Sequence, residues 1–483
     1  MRMGWFERLR KQGRYAFLEG NNWITILGVV LTTGSGFTLV WAWFKELVSG
    51  EPVHPYAGII LFMILPAFFV AGLLLIPAGI LLRRRLLVRA GRLPQEPPQI
   101  DLASPRIRKV LWFIGLATLV NILLMGTATL KGVTYMDSSQ FCGTTCHTPM
   151  ITEYRAFTNS PHSRVGCVQC HIGPGAESFF RAKLAGVRQV FGVAFNNYSR
   201  PIPSPVESLR PARETCEECH WPQKFSGEKL LVVTHYGDDA QSTPSTTVLL
   251  LKIGGLTGRS ATGIHGRHLD TGSRITYLAG DAKRTTIAQV TYRDDKGQFV
   301  EYASSDVKPA PASEHVNARQ MDCVDCHNRP THAFQMPEDA IDQAINDGRI
   351  SRDLPFIKKE AVAILKAGYA SQDEAAVKIP QALADYYKAS YPDIYSQKRA
   401  QVDAAGEVVR NAFLRNVSPE MKLTWGTHPN FLGHADGGGC FRCHDGSHVS
   451  KDGKAIASDC NTCHVILAQD EKSPKILKEL GIS

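Results

Sequence analysis

All 12 cysteines of this 483-residue chain fall into six pairs, each followed at once by a histidine: Cys142/Cys146/His147, Cys167/Cys170/His171, Cys216/Cys219/His220, Cys323/Cys326/His327, Cys440/Cys443/His444 and Cys460/Cys463/His464. Two thiols and an imidazole at this spacing form the attachment signature of a c-type haem, the thiols adding to the porphyrin vinyl groups and the imidazole reaching the iron. Zinc fits poorly, because no cysteine is left over to complete tetrahedral sets. A disulfide framework gives no reason for a histidine after every second cysteine. The pattern predicts six covalently bound haem c groups. In the first motif three residues, not two, separate the cysteines, which changes the loop between its two thioether bonds.

The sixth ligand of each iron sets its potential and decides whether it only passes electrons or also binds substrate. Outside the motifs, the segment from residue 131 onward holds His162, His235, His265, His268, His315, His332, His428, His434 and His448. His162, His332, His434 and His448 lie a few residues from a motif and lead as distal ligands. His315, His235, His268 and His265 follow, and His428 reads as a surface residue. Met150 offers the first haem a thioether or simply fills core. His54, in a short loop between apolar runs, reads as solvated.

Something must hold these sites at a membrane. Residues 23–44, 57–82 and 110–130 are apolar runs long enough to cross a hydrocarbon core of about 30 Å as helices. Pro66 and Pro77 fall inside the second and are expected to kink it. Asn121, within the third, reads as a helix-to-helix hydrogen bond. The net charge of +9 is concentrated beside these runs. Arg2, Arg8, Arg10, Lys11 and Arg14 precede the first, and Arg83, Arg84, Arg85, Arg89, Arg92, Arg106, Arg108 and Lys109 separate the second from the third. The rule that Lys and Arg stay inside puts both segments in the cytoplasm and everything after residue 131 in the periplasm. The basic balance is thus a topology signal and gives no support to nucleic-acid binding.

The fold expected is a membrane-anchored multihaem cytochrome c: three transmembrane helices, then an irregular, mostly helical haem-packed periplasmic domain with a small antiparallel β insertion. Residues 1–130 form the anchor in a bacterial inner membrane. Residues 131–230 carry three haems with sparse regular structure, apart from an amphipathic helix at 176–195 lying near the membrane surface. Residues 231–320 are the β-containing insertion, with TTVLLLKI, RITYLAG, TIAQVTYR and GQFVEYA as strands. Residues 321–335 hold the fourth haem, 336–424 a helical segment with helices near 357–369, 372–389 and 397–415, and 425–483 the last two haems.

A span followed by FCGTTCHTPM, NSPHSRVGCVQCH, a Lys-containing amphipathic segment and ETCEECH resembles the membrane-anchored quinol dehydrogenases of the NapC/NirT/NrfH cytochrome family, over about residues 110–230. The resemblance implies oxidation of membrane quinol, usually menaquinol, and delivery of electrons to a periplasmic cytochrome or reductase. It also implies a ligand role for Met150 on the first haem and a place for Lys183 beside the quinol. The chain departs from that family in its longer first motif, with Met150 one place farther from the histidine, and in three spans and six haems where one anchor helix and four haems are usual.

Three functions compete: a quinol-to-periplasm conduit, a terminal reductase with one open haem, and a haem-bearing subunit of a larger respiratory complex docked through the three spans. The abundance of spare histidines favours conduction.

Overall fold

The computed structural model describes residues 19–49, 64–92, 103–145, 147–173, 176–206, 210–221, 225, 227–257, 260–269, 275–293, 296–311, 317–434 and 438–482. His54, Cys146 and His315 lie outside the described residues, as do the side chains of His147 and Lys183. The chain divides into two compact units, Met1–Thr145 and Cys146–Ser483.

The first unit is three helices: α1 (Trp23–Ser49), α2 (Leu65–Arg89) and α3 (Pro105–Met136). Among the described residues, Trp23–Trp41 and Leu65–Arg89 are the two helices long and apolar enough to cross a membrane. The third expected span lies within α3, part of whose side chains are outside the description. Its helix starts earlier than the apolar run, because Pro105 suits a first turn. The helix of the second span runs on to Arg89, since arginine and leucine are both good helix formers. Pro66 stands in the first turn of α2, so Pro77 is the interior proline there.

Why α1 and α2 associate is written in their small residues. Thr25, Gly28, Thr32, Ser35 and Leu39 are buried along one face of α1, and Phe69, Gly72 and Gly79 along α2. Lipid tails are as apolar as leucine, so helices in a membrane gain by close backbone approach and interhelical hydrogen bonds. Asn22 Nδ2 donates to the Gly79 carbonyl at 3.1 Å and Thr25 Oγ1 to the Ile76 carbonyl at 3.4 Å. A Cβ on Gly72 would stand 2.7 Å from the Gly28 carbonyl oxygen and 2.8 Å from the Thr32 nitrogen. Gly72→Val therefore forces the two helices apart. The expected loss is about 1–3 kcal/mol, read as a lower midpoint when the detergent-solubilised anchor is unfolded.

The second unit opens with α4 (His147–Thr158) and α5 (Ala176–Ala194). Residues 131–230 are thus more helical than expected, partly because the attachment motifs themselves wind into helical turns. Strands follow: β1 (Lys229–Tyr236), β2 (Pro244–Leu251), β3 (Gly255–Thr257) and β4 (Ser260–Thr262), then the short helix α6 (Gly263–Leu269). Next come β5 (Thr276–Ala279), β6 (Ile287–Arg293), β7 (Phe299–Ser304) and β8 (Arg319–Gln320). The helices α7 (Pro337–Asn346), α8 (Ile357–Lys366), α9 (Gln372–Ser390) and α10 (Arg399–Asn416) precede the last strands, β9 (His448–Ser450) and β10 (His464–Glu471).

In place of one small sheet there are two and a ribbon. Strand order is β1-β2-β10 in the first sheet and β8-β5-β6-β7-β9 in the second, with β3-β4 as the ribbon. Both sheets take an edge strand from the last two-haem segment, pairing Ile466 with Leu249 and Val449 with Ala303. The insertion and the C-terminal haem segment are thereby stitched together. The α7–α10 lobe has a conventional core, in which Ile341, Leu354, Ile357, Leu365, Ile379, Leu383, Tyr387 and Val409 are fully buried. It contains no haem motif.

Candidate haem sites

Each motif of ordinary spacing folds as one tight helical turn. In the third to fifth, the histidine N–H donates to the carbonyl of the first cysteine: His220 to Cys216 at 2.8 Å, His327 to Cys323 at 2.8 Å and His444 to Cys440 at 3.0 Å. The same bond joins His464 to Cys460, and Cys167–His171 is helical throughout. Residues i, i+3 and i+4 share a helical face, so both thiols and the imidazole point one way. The longer first motif begins in a π-turn, Phe141–Thr145, the wider turn that takes up one extra residue.

All eleven described cysteines are free of disulfides. Burial pushes the Cys326 thiol up to about 11 and the Cys443 thiol up to about 12. Such thiols stay neutral, unlike the thiolates that bind zinc.

The imidazoles carry the decisive geometry. His162 faces His220 with ring centres 5.9 Å apart, His332 faces His171 at 6.2 Å, and His265 faces His327 at 6.4 Å. His268 faces His444 at 5.9 Å and His434 faces His464 at 6.2 Å. An imidazole nitrogen binds a metal at about 2 Å and lies roughly 1.2 Å from its own ring centre, so two imidazoles on opposite sides of one iron have centres about 6.3 Å apart. Ordinary ring packing spans about 4.5–7 Å and predicts no rule of pairing. Here every motif histidine whose side chain is described faces one non-motif histidine. The residues present therefore fit haem at five sites.

Backbone carbonyls orient several of these rings. His268 Nδ1 donates to the Ile264 carbonyl at 2.8 Å, His332 Nδ1 to the Glu153 carbonyl at 3.1 Å, and His444 Nδ1 to the Ala457 carbonyl at 2.6 Å. A proton on Nδ1 leaves Nε2 with the lone pair that a metal needs. Burial lowers the pKa of His171, His265, His268 and His327, keeping them in the neutral, ligating form. Glu153 is itself held by Arg329, whose Nη2 donates to both carboxylate oxygens at 2.9 and 3.0 Å.

Two expected ligands stand elsewhere. His448 is on β9 with its ring inside the sheet, Nε2 donating to the Ile287 carbonyl at 3.0 Å and Nδ1 3.3 Å from an Asp445 oxygen. Its closeness in sequence to His444 is undone by the strand, which turns it away from the iron. His235, on β1, gives Nδ1 to Asp342 at 3.0 Å, beside the buried Lys358 ammonium. His428 stacks on Phe334, and burial with the nearby Arg329 charge pushes it down to about 4. Met150 sits on α4, one turn past His147. His265 was the ligand that sequence reasoning undervalued. The available signal was its three-residue spacing from His268 in GIHGRHL, which puts both on one helical face.

The motifs also touch in sequence order. Cys170 senses the charge of Cys216 and Cys219, Cys216 hydrogen-bonds Cys323, Cys326 neighbours Cys440 and Cys443, and Cys463 neighbours Cys440. The second to sixth sites thus form a chain.

Comparison with known proteins agrees. Residues 104–202 match the N-terminal region of the NapC/NirT cytochrome c family. The chain is 40% identical over 479 residues to the cytochrome c-type protein ImcH of Geobacter sulfurreducens, covering 98% of this chain and 92% of that one. No solved structure matches. With haem-attachment turns, facing imidazoles and apolar anchor helices in one chain, this protein belongs to the NapC/NirT family of membrane-anchored c-type cytochromes.

Proposed function

We propose that the protein is a hexahaem cytochrome that takes electrons from menaquinol and passes them along its haems to a periplasmic cytochrome or reductase. The observation that carries this reading is the set of five facing imidazole pairs. Two imidazoles on one iron leave no coordination position for a substrate, which favours conduction over terminal reduction. The axial pairs are His171 with His332, His220 with His162, His327 with His265, His444 with His268, and His464 with His434. His147 and Met150 serve the first haem.

Haem c, once bound, supplies one-electron chemistry at iron. The chain's own part is spacing, ligation and exclusion of water. Oxidation of one quinol yields two electrons and two protons, and the electrons leave singly along the chain of neighbouring motifs. The α1, α2 and α3 helices are three spans with the N-terminus cytoplasmic and the haem segments periplasmic, as the Arg-rich flanks favour. On α5, Lys183 hydrogen-bonds a quinol hydroxyl or accepts its proton.

The test is haem reduction by a menaquinol analogue in the purified full-length chain, with dithionite as a donor that needs no quinol site. Lys183→Ala should slow the quinol-driven phase about 100-fold, the lower end of what a positioned proton acceptor contributes, and leave the dithionite phase alone. Parent protein that dithionite reduces but the quinol analogue does not would overturn the reading.

A further inference from the structure

The two residues between the cysteines of a haem motif are free of ligand duty. In the fourth and fifth motifs these positions hold Asp325 and Arg442, which join the two turns. Arg442 Nη2 donates to the Asp325 carbonyl, Nη1 to the Arg284 carbonyl at 2.8 Å, and Nε to the Gly439 carbonyl of its own turn at 2.9 Å. Its guanidinium carbon lies 3.8 Å from the centre of the Phe431 ring. A planar fork of donors suits this task, and a lysine ammonium could not span the three carbonyls.

The other end of the tie is rigid. Asp325 is buried, and its carboxylate accepts from Tyr277 Oη at 2.6 Å, Arg319 Nε at 2.9 Å and the Asp322 N–H at 2.7 Å. Arg284 Nη1 stands 3.5 Å away. These partners root the fourth turn in β5 and β8 and in the loop between β5 and β6. The same two turns are linked a second time through α6, whose His265 and His268 face His327 and His444.

We propose that Arg442 is a positioning residue of the electron path, fixing the fifth attachment turn against the fourth and so setting the separation and relative tilt of the haems they carry. Nothing in the attachment chemistry requires arginine there. Its role is to hold one edge of a two-haem frame whose other edge is α6. The inference rests on haem being attached at both turns, and its test separates that premise from the role of Arg442.

The full-length chain is prepared as the parent, as Arg442→Met, which keeps the length and the contact with Phe431, and as Arg442→Lys, which keeps the charge. Intact mass reports haem attachment, and low-temperature EPR reports the orientation of the axial imidazoles. In Arg442→Met, with all haems retained, two low-spin signals should shift while the rest keep their positions. Electron equilibration after rapid partial reduction should acquire a phase roughly tenfold slower, since displacements of about 1 Å are costly in positioned reactions. Arg442→Lys should lie between. Should Arg442→Met fail to load haem, Arg442→Lys decides alone. Parent-like EPR and single-phase equilibration in a fully loaded variant would overturn the proposal, and a parent lacking haem at these turns would remove the premise with it.

Discussion

Replacing both imidazoles of α6, as His265→Leu with His268→Leu, should turn two of the six haems from low-spin to high-spin and open both to carbon monoxide. The two rings stand on one short helix, 6.4 Å from His327 and 5.9 Å from His444 between ring centres. Leucine roughly preserves the volume of each side chain but supplies no lone pair, so each iron keeps only its motif histidine. Each single substitution should expose one haem. The parent should bind no carbon monoxide at these sites. If the double variant stays wholly low-spin, the rings of α6 are not ligands and the geometry around the fourth and fifth motifs must be read again. His448→Leu serves as the contrast. That ring is held by the Ile287 carbonyl and Asp445, so the variant should lose stability and keep its haem spectrum.

Removing the fourth attachment site has the larger functional effect. The Cys323→Ala, Cys326→Ala chain should retain at most five haems, and quinol should then rapidly reduce only the three before the break. Dithionite should reduce all five. The argument is the order of contact: Cys216 meets Cys323 on one side, and Cys326 meets Cys440 and Cys443 on the other. The fourth motif is the link between halves. The same variant should be destabilised by more than about 4 kcal/mol, because an empty site strips buried contacts from β5, β6 and the neighbouring turns. Unaltered quinol reduction of the last haems would show that the path bypasses the fourth site.

What could be read from the sequence divides along a physical line. Covalent attachment is local, fixed by Cys-x-x-Cys-His within one turn, so all six sites were visible without a structure. Amphipathic and apolar periodicities are also local, and they located α1, α2, α8, α9 and α10 to within a few residues. Distal ligation is different, because the second imidazole arrives from wherever the fold delivers it. His332 serves a motif some 160 residues upstream, and His434 passes over the adjoining fifth motif to face the sixth. Nearness in sequence favoured His448, but a strand pairing with β7 overrode it. The sheets were half legible for the same reason. The runs of β-branched residues were plain, whereas the closing of each sheet by β9 and β10 depends on chain returning from the far end.

Intact mass spectrometry of the denatured full-length protein tests the central claim most directly, since it counts covalent haem without assuming any electron donor. The account predicts one species carrying six haem groups, with peptide mapping placing one on each Cys-Cys-His turn from Cys142 to His464. A species with the mass of the bare polypeptide, or haem confined to a subset of the turns, would contradict it.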